Sequence, residues 1–148
     1  MFENYRVEVL YFAGRRKFMQ MNLPILLDNP LIDRVHIMSK CRDEIDRIWI
    51  QNVKINLVGH NTDKIKVSEI DRSIKGYLYH YKTAIDYNTI YIKIDDDVCY
   101  IHPNCIQKIL EVRLKYQDAK LIYPNIYNNL MIDFIRDKGC TSDYQMTQ

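Results

Sequence analysis

Three consecutive carboxylates, Asp95, Asp96 and Asp97, interrupt an apolar stretch that reads TIYIKIDDDVCYIHP over residues 89–103. Like charges a few ångströms apart raise one another's pKa, and an apolar strand is a costly place to collect them. A cation relieves both costs. Alternate side chains of a strand share a face, so Asp95 and Asp97 are expected on one side and Asp96 on the other. A hard divalent ion takes oxygen ligands of this kind. Two carboxylates cannot complete its shell, which leaves room for water and for a ligand with its own oxygens, a diphosphate above all. A metal so held neutralises charge on a departing diphosphate. The competing reading is a solvated acidic turn with no ligand.

Other residue types carry weaker signals. No GxGxxG or GxxxxGK[ST] run occurs, so dinucleotide and P-loop readings lack their phosphate-binding turns. Cys41, Cys99, Cys105 and Cys140 are scattered without a CxxC pair, and reduced thiols are expected. His36 lies in an apolar run and reads as structural, His102 precedes a proline at a helix start, and His60 and His80 show no convincing partner. Tyr77 and Tyr81 fit a core-facing helical stripe better than a stacking platform.

The elements that must position the carboxylates follow from changes of hydrophobic period. YRVEVLYFAG (5–14) reads as a central strand that stops at a glycine. Phe18, Met21, Leu23, Leu26 and Leu27 suit a helix, with Pro24 a kink point and an end near DNP. DRVHIMS (33–39) is a second strand, and Ile45, Ile48 and Trp49 mark an amphipathic helix after it. VKINLVG (53–59) alternates and is expected as the third strand, followed by a loop at HNTDKIK. A helix is expected over VSEIDRSIKGYLYHYKTAIDYN, with Ile70, Ile74, Tyr77, Leu78, Tyr81 and Ile85 on one stripe. TIYIKI (89–94) is the fourth strand and delivers the carboxylates; Pro103 opens a helix with Ile106, Ile109, Leu110 and Leu114 at helical spacing. AKLIYPNIYNN is expected as a fifth strand running into a loop. Alternating strands and helices imply an α/β domain, a Rossmann-like, mostly parallel central sheet with helices on both faces. Ligands of such sheets bind beyond the carboxyl ends of the strands, where the three aspartates fall.

The bulk numbers set outer bounds. The chain has 148 residues, 47% apolar and 27% charged, enough for one domain with a real core. A net charge of +2 with interspersed signs argues against a nucleic-acid partner. No apolar run approaches the roughly 20 residues of a membrane span, and the N-terminus does not read as a signal peptide. A cytoplasmic setting is the expectation. One domain is expected over residues 1–138, with a flexible tail over 139–148.

IYIKIDDDVCYIHPNCIQKILEVRLKY followed by LIYPNIYNN resembles the GT-A fold nucleotide-sugar glycosyltransferases. It is similar in particular to a group found in large DNA viruses and in fungi, which would put a virus-encoded chain in the host cytoplasm. The pairing of DDD with NIYNN is the specific part, and agreement upstream, FAGRR and DRSIKGYLYHYK, is looser. The resemblance implies that Asp95, Asp96 and Asp97 are the family's DxD motif. Asp95 and Asp97 would hold Mn²⁺ or Mg²⁺ against the donor diphosphate, and Asp96 would reach the ribose. Phe12, Ala13, Gly14 and Arg15 lie where such enzymes seat the nucleotide, and Arg72, Ser73 and Lys75 match a segment that approaches it. Arg15, Arg72 and Lys75 read equally as solvated helix charges. Asn128 and Asn129 fall where a donor-sugar or acceptor contact is expected, with a simple turn as the alternative.

The implied partners are a UDP- or GDP-linked sugar and a glycan or glycoprotein acceptor. The chain ends about twenty residues after NIYNN, where these transferases continue into an acceptor site, so no catalytic base is assigned. A metal-dependent glycosyltransferase, or its donor-binding part, is expected. The reading from a different class is a catalytically inactive α/β domain serving protein interaction or nucleotide binding. A sugar nucleotidyltransferase is disfavoured, because FAGRRK is a poor substitute for its glycine-rich phosphate loop.

Overall fold

A run of eight residues with almost nothing exposed forms only where both faces of a strand are covered. Arg6–Ala13 (β1) is such a strand, with seven consecutive buried residues from Val7 onward. The computed structural model describes residues 1–70, 81–119 and 121–122. Among them β1 is followed by a helix Arg16–Asp28 (α1), a strand Arg34–Ser39 (β2), and helices Glu44–Gln51 (α2) and Val53–Asn56 (α3). A 3-10 turn Thr62–Lys64 leads into the strand Ile65–Glu69 (β3), and after the undescribed segment come the strand Thr89–Asp95 (β4) and the helix Cys105–Lys115 (α4).

The four strands form one sheet in the order β3-β2-β1-β4, with every pair parallel. The chain therefore steps outward from β1 through β2 to β3, then returns to lay β4 on the other side of β1. The fold is α/β and Rossmann-like. The crevice between the carboxyl ends of β1 and β4 is its topological switch point, where ligands of open parallel sheets bind. The β1–β4 register runs from Arg6 opposite Thr89 to Phe12 opposite Asp95.

The two sheet faces separate by residue parity. Val7, Val9, Tyr11 and Ala13 of β1 join Val35, Ile37, Ile92 and Ile94 in the main core, packed against Met19, Leu23, Leu26 and Leu27 of α1 and Ile106 and Leu110 of α4. The opposite face carries a smaller cluster of Leu10, Phe12, Met38 and Ile70, joined by Ala84 and Tyr91. Buried α1 residues fall at 19, 22, 23, 26 and 27, so the polar Asn22 occupies the stripe and Met21 faces solvent, opposite to expectation. Pro24 sits within α1 without ending it. Asp43 caps α2, accepting a hydrogen bond from the Ile45 amide at 2.7 Å.

Two expectations are corrected. The third strand is not VKINLVG but Ile65–Glu69. Ile50, Val53 and Leu57 stand at helical spacing and are all buried, so the helical run continues past Asn52, while Ile55 and Val58 are exposed. Over so short a segment one apolar pattern satisfies both periods, and packing decides. The amphipathic helix expected at Ile45, Ile48 and Trp49 is α2; Ile50 is buried and the half-buried Trp49 packs against the main core, while Ile45 and Ile48 are exposed. The helix expected over residues 67–88 is corrected where it is described: Val67–Glu69 pair as the end of β3, and residues 82–88 are turn and irregular chain. Residues 71–80, the fifth strand beyond Ile122 and the tail lie outside the described residues; Leu121 and Ile122 are not in regular structure. No helix of the described residues is long and apolar enough to cross a membrane.

Candidate functional site

Asp95 closes β4, and Asp96 and Asp97 form the turn beyond it. Strand alternation therefore governs Asp95 but does not extend to Asp96 and Asp97. Asp95 lies on the smaller-cluster side, where Lys93, two residues earlier on the same face, pairs with it and stands over the Phe12 ring at 5.1 Å. Asp96 and Asp97 turn toward the end of β1 instead. Arg15 Nη2 lies 3.6 Å from Asp96 Oδ1 and 3.7 Å from Asp97 Oδ2. Asp96 and Asp97 thus share one guanidinium, while Asp95 pairs with Lys93.

Gly14 makes that approach possible. A Cβ there would stand 2.7 Å from Asp96 Oδ2, so any side chain obliges the carboxylate to turn away. On the far side, Asn22 Nδ2 donates a hydrogen bond to the Val98 carbonyl, tying α1 to the segment that follows the carboxylates. The Tyr11 hydroxyl and Asn22 Oδ1 are both buried and are each other's polar neighbours, in a contact looser than an ordinary hydrogen bond. Burial pushes the Tyr11 phenol up to about 12, with the charges of Asp96 and Asp97 adding to the rise and Asn22 opposing it. Burial likewise raises Asp96 above its ordinary value; Asp97 and Asp95 push in the same direction, and Arg15 only partly offsets them. Asp96 is thus a carboxylate whose cationic partnership is incomplete.

The sequence-derived candidates divide into three groups. Gly14, Arg15, Asp96 and Asp97 converge at the switch point. Ala13 is buried in the main core, and Phe12 packs on the opposite face, on the side of Asp95 and its partner Lys93, where its ring meets Tyr81 edge-on at 6.0 Å. Arg72, Ser73, Lys75, Asn128 and Asn129 lie outside the described residues. Tyr11, Asn22 and Lys93 were not legible as candidates. Lys93 could have been found two residues before Asp95, and Asn22 as the one polar residue in a buried helical stripe. Of the histidines, His60 has a partner, Asp28 Oδ2 at 2.7 Å, and His102 Nδ1 accepts from the Asn104 amide at 3.1 Å beside the helix start, as its position implies.

Among the described residues no three His, Cys, Asp or Glu side chains form a complete metal-ligand set. The Asp96–Asp97 pair nevertheless fits a hard divalent cation that brings further oxygens with it. Its donors are all oxygen, and both already face one cationic group, the Arg15 guanidinium. What fold and site define together is a parallel α/β domain with an acidic, arginine-bridged crevice at its switch point. No protein-family model, curated protein or solved structure matches the chain.

Proposed function

We propose that the chain is a metal-dependent glycosyltransferase, or the donor-binding part of one, that moves a sugar from a UDP- or GDP-linked donor to a glycan or glycoprotein acceptor. The observation that carries this reading is the meeting of Gly14 and Arg15 with Asp96 and Asp97 across the β1–β4 crevice. Two segments about eighty residues apart, both singled out for their likeness to the transferases, supply the acidic and basic halves of one site. Mn²⁺ or Mg²⁺ held there supplies charge neutralisation on the diphosphate leaving group. Asp97 is the ligand on which the resemblance and the shared contact with Arg15 agree. Asp96, set deeper, is its nearer companion, and Asp95 completes the run from the other side of the strand. Arg15 offers a guanidinium to phosphate oxygens. The cytoplasm is the setting that suits such a chain.

The other reading, an interaction domain without catalysis, draws support from a groove of about 360 Å³ lined by Arg16, Ile45, Ile48, Trp49 and Ile55, which leaves several apolar side chains exposed.

Calorimetry of UDP and GDP, with and without Mn²⁺, separates the two. The transferase reading expects nucleotide binding that requires the metal and that falls at least about 100-fold in Asp97→Ala, the loss that follows from removing a ligand of a site with few protein donors. Metal-independent binding, or none, favours the interaction domain.

A further inference from the structure

Arg15 is placed where a metal ion would compete with it. One nitrogen, Nη2, faces both carboxylates at 3.6 and 3.7 Å, beyond ordinary hydrogen-bond reach and without the bidentate fork that makes arginine–carboxylate pairs strong. The side chain is 57% exposed and rests over the Phe18 ring at 5.8 Å. Asp96, by contrast, is only 18% exposed. A single, loosely held positive charge on the solvent side thus faces two carboxylates, one of them well inside.

We propose that Arg15 is a counter-ion of the Asp96–Asp97 pair in the free protein, displaced by a divalent cation and then used to hold the diphosphate that accompanies it. The proposal rests on the donor-site reading and assigns Arg15 two successive partners within it. The metal and the guanidinium contend for the same oxygens, and the divalent ion wins because it carries twice the charge and approaches more closely. Release of Arg15 requires only rotation of an exposed side chain about its own bonds. The freed guanidinium stays beside the crevice, and its planar fork matches phosphate oxygens better than it matched two divergent carboxylates. In the free protein the arrangement limits like-charge repulsion between Asp96 and Asp97. It also makes metal and diphosphate bind better together than apart, since each favours the arginine position that suits the other.

The test compares wild type, Arg15→Ala and Arg15→Lys by two titrations: Mn²⁺ alone, followed by calorimetry and by the electron paramagnetic resonance of free Mn²⁺, and UDP or GDP in saturating Mn²⁺. Arg15→Ala is expected to bind Mn²⁺ alone about tenfold more tightly than wild type, because two weak competing contacts are gone. The same variant should bind the nucleotide about tenfold more weakly, with Arg15→Lys between the two, its charge kept and its fork lost. If Arg15→Ala binds Mn²⁺ no more tightly while wild type still needs Mn²⁺ to bind nucleotide, the exchange is wrong and the donor site stands. If wild type shows no Mn²⁺-dependent nucleotide binding, both readings fall together.

Discussion

Two sheltered carboxylates on this sheet respond to burial in opposite ways. Glu8, in the middle of β1, and Asp96, just past β4, are both largely withdrawn from water. Burial would raise Glu8, but the facing His36 imidazole and then the Arg34 guanidinium overcome it, and its pKa ends below the ordinary value. His36 Nδ1 is 3.4 Å from Glu8 Oε1, Arg34 Nη1 is 3.6 Å from Oε2, and His36 Nε2 continues the chain to Ser68 Oγ at 2.8 Å. Three neighbouring strands thus share one connected polar network. Asp96 has two acidic neighbours and one outlying arginine, and its pKa is raised. The first arrangement supplies its own counter-charges and serves the fold. The second leaves charge unbalanced at the edge where ligands enter, and such imbalance is a mark of a binding site.

The comparison breaks most sharply at Glu8. Glu8→Ala leaves Arg34 and the buried His36 without their carboxylate and is expected to lower stability by about 3 kcal/mol in urea denaturation, with Mn²⁺ affinity unchanged. A stability loss with altered metal binding would show that the two regions are not independent. The pH dependence follows in sign. Glu8, depressed on folding, contributes stability that is present above the unfolded carboxylate pKa and is lost as pH falls through its lower folded value. Asp96, raised on folding, binds its proton more tightly in the folded state, so its ionisation costs stability as pH climbs from the ordinary carboxylate range through the raised value.

A smaller effect belongs to Gly14. Gly14→Ala forces the Asp96 carboxylate away from β1, and Mn²⁺-dependent nucleotide binding should weaken about tenfold, or ~1.4 kcal/mol, while the melting temperature stays put. Unchanged binding would mean that Asp96 can turn at no cost to the site. Smallest and opposite in direction is Asp96→Asn. Removing an ill-balanced charge should raise the melting temperature at pH 7 by about 2 °C while weakening metal binding, the trade that separates a site from a scaffold. A fall in melting temperature would place Asp96 with Glu8 as a structural carboxylate.

Much of the parallel sheet was legible because β1 and β2 are buried on both faces and read as continuous apolar runs, and the half-buried β4 alternates around an exposed Lys93. β1, β2 and β4 lie where VLYF, VHIM and IYIKI announce them. The third strand was misplaced because VKINLVG and IKVSE are both short, and only the pairing of Val35 through Ser39 with Ile65 through Glu69 distinguishes them. Met21 and Asn22 exchanged roles because neighbouring positions at the border of a helical stripe are set by what packs against them. Here that is the carbonyl of Val98, 76 residues away.

By itself the sequence determined the alternating α/β plan, the presence of a triple aspartate after an apolar strand, and the ending of β1 in a glycine and an arginine. These are local properties, fixed by residue type and by periods of two and 3.6. The tertiary structure alone decided that β4 returns to the side of β1 away from β2, which brings Arg15 against Asp96 and Asp97 and sets Asp95 apart with Lys93. Strand order and the turn that ends β4 depend on contacts between distant segments, and no local spacing encodes them.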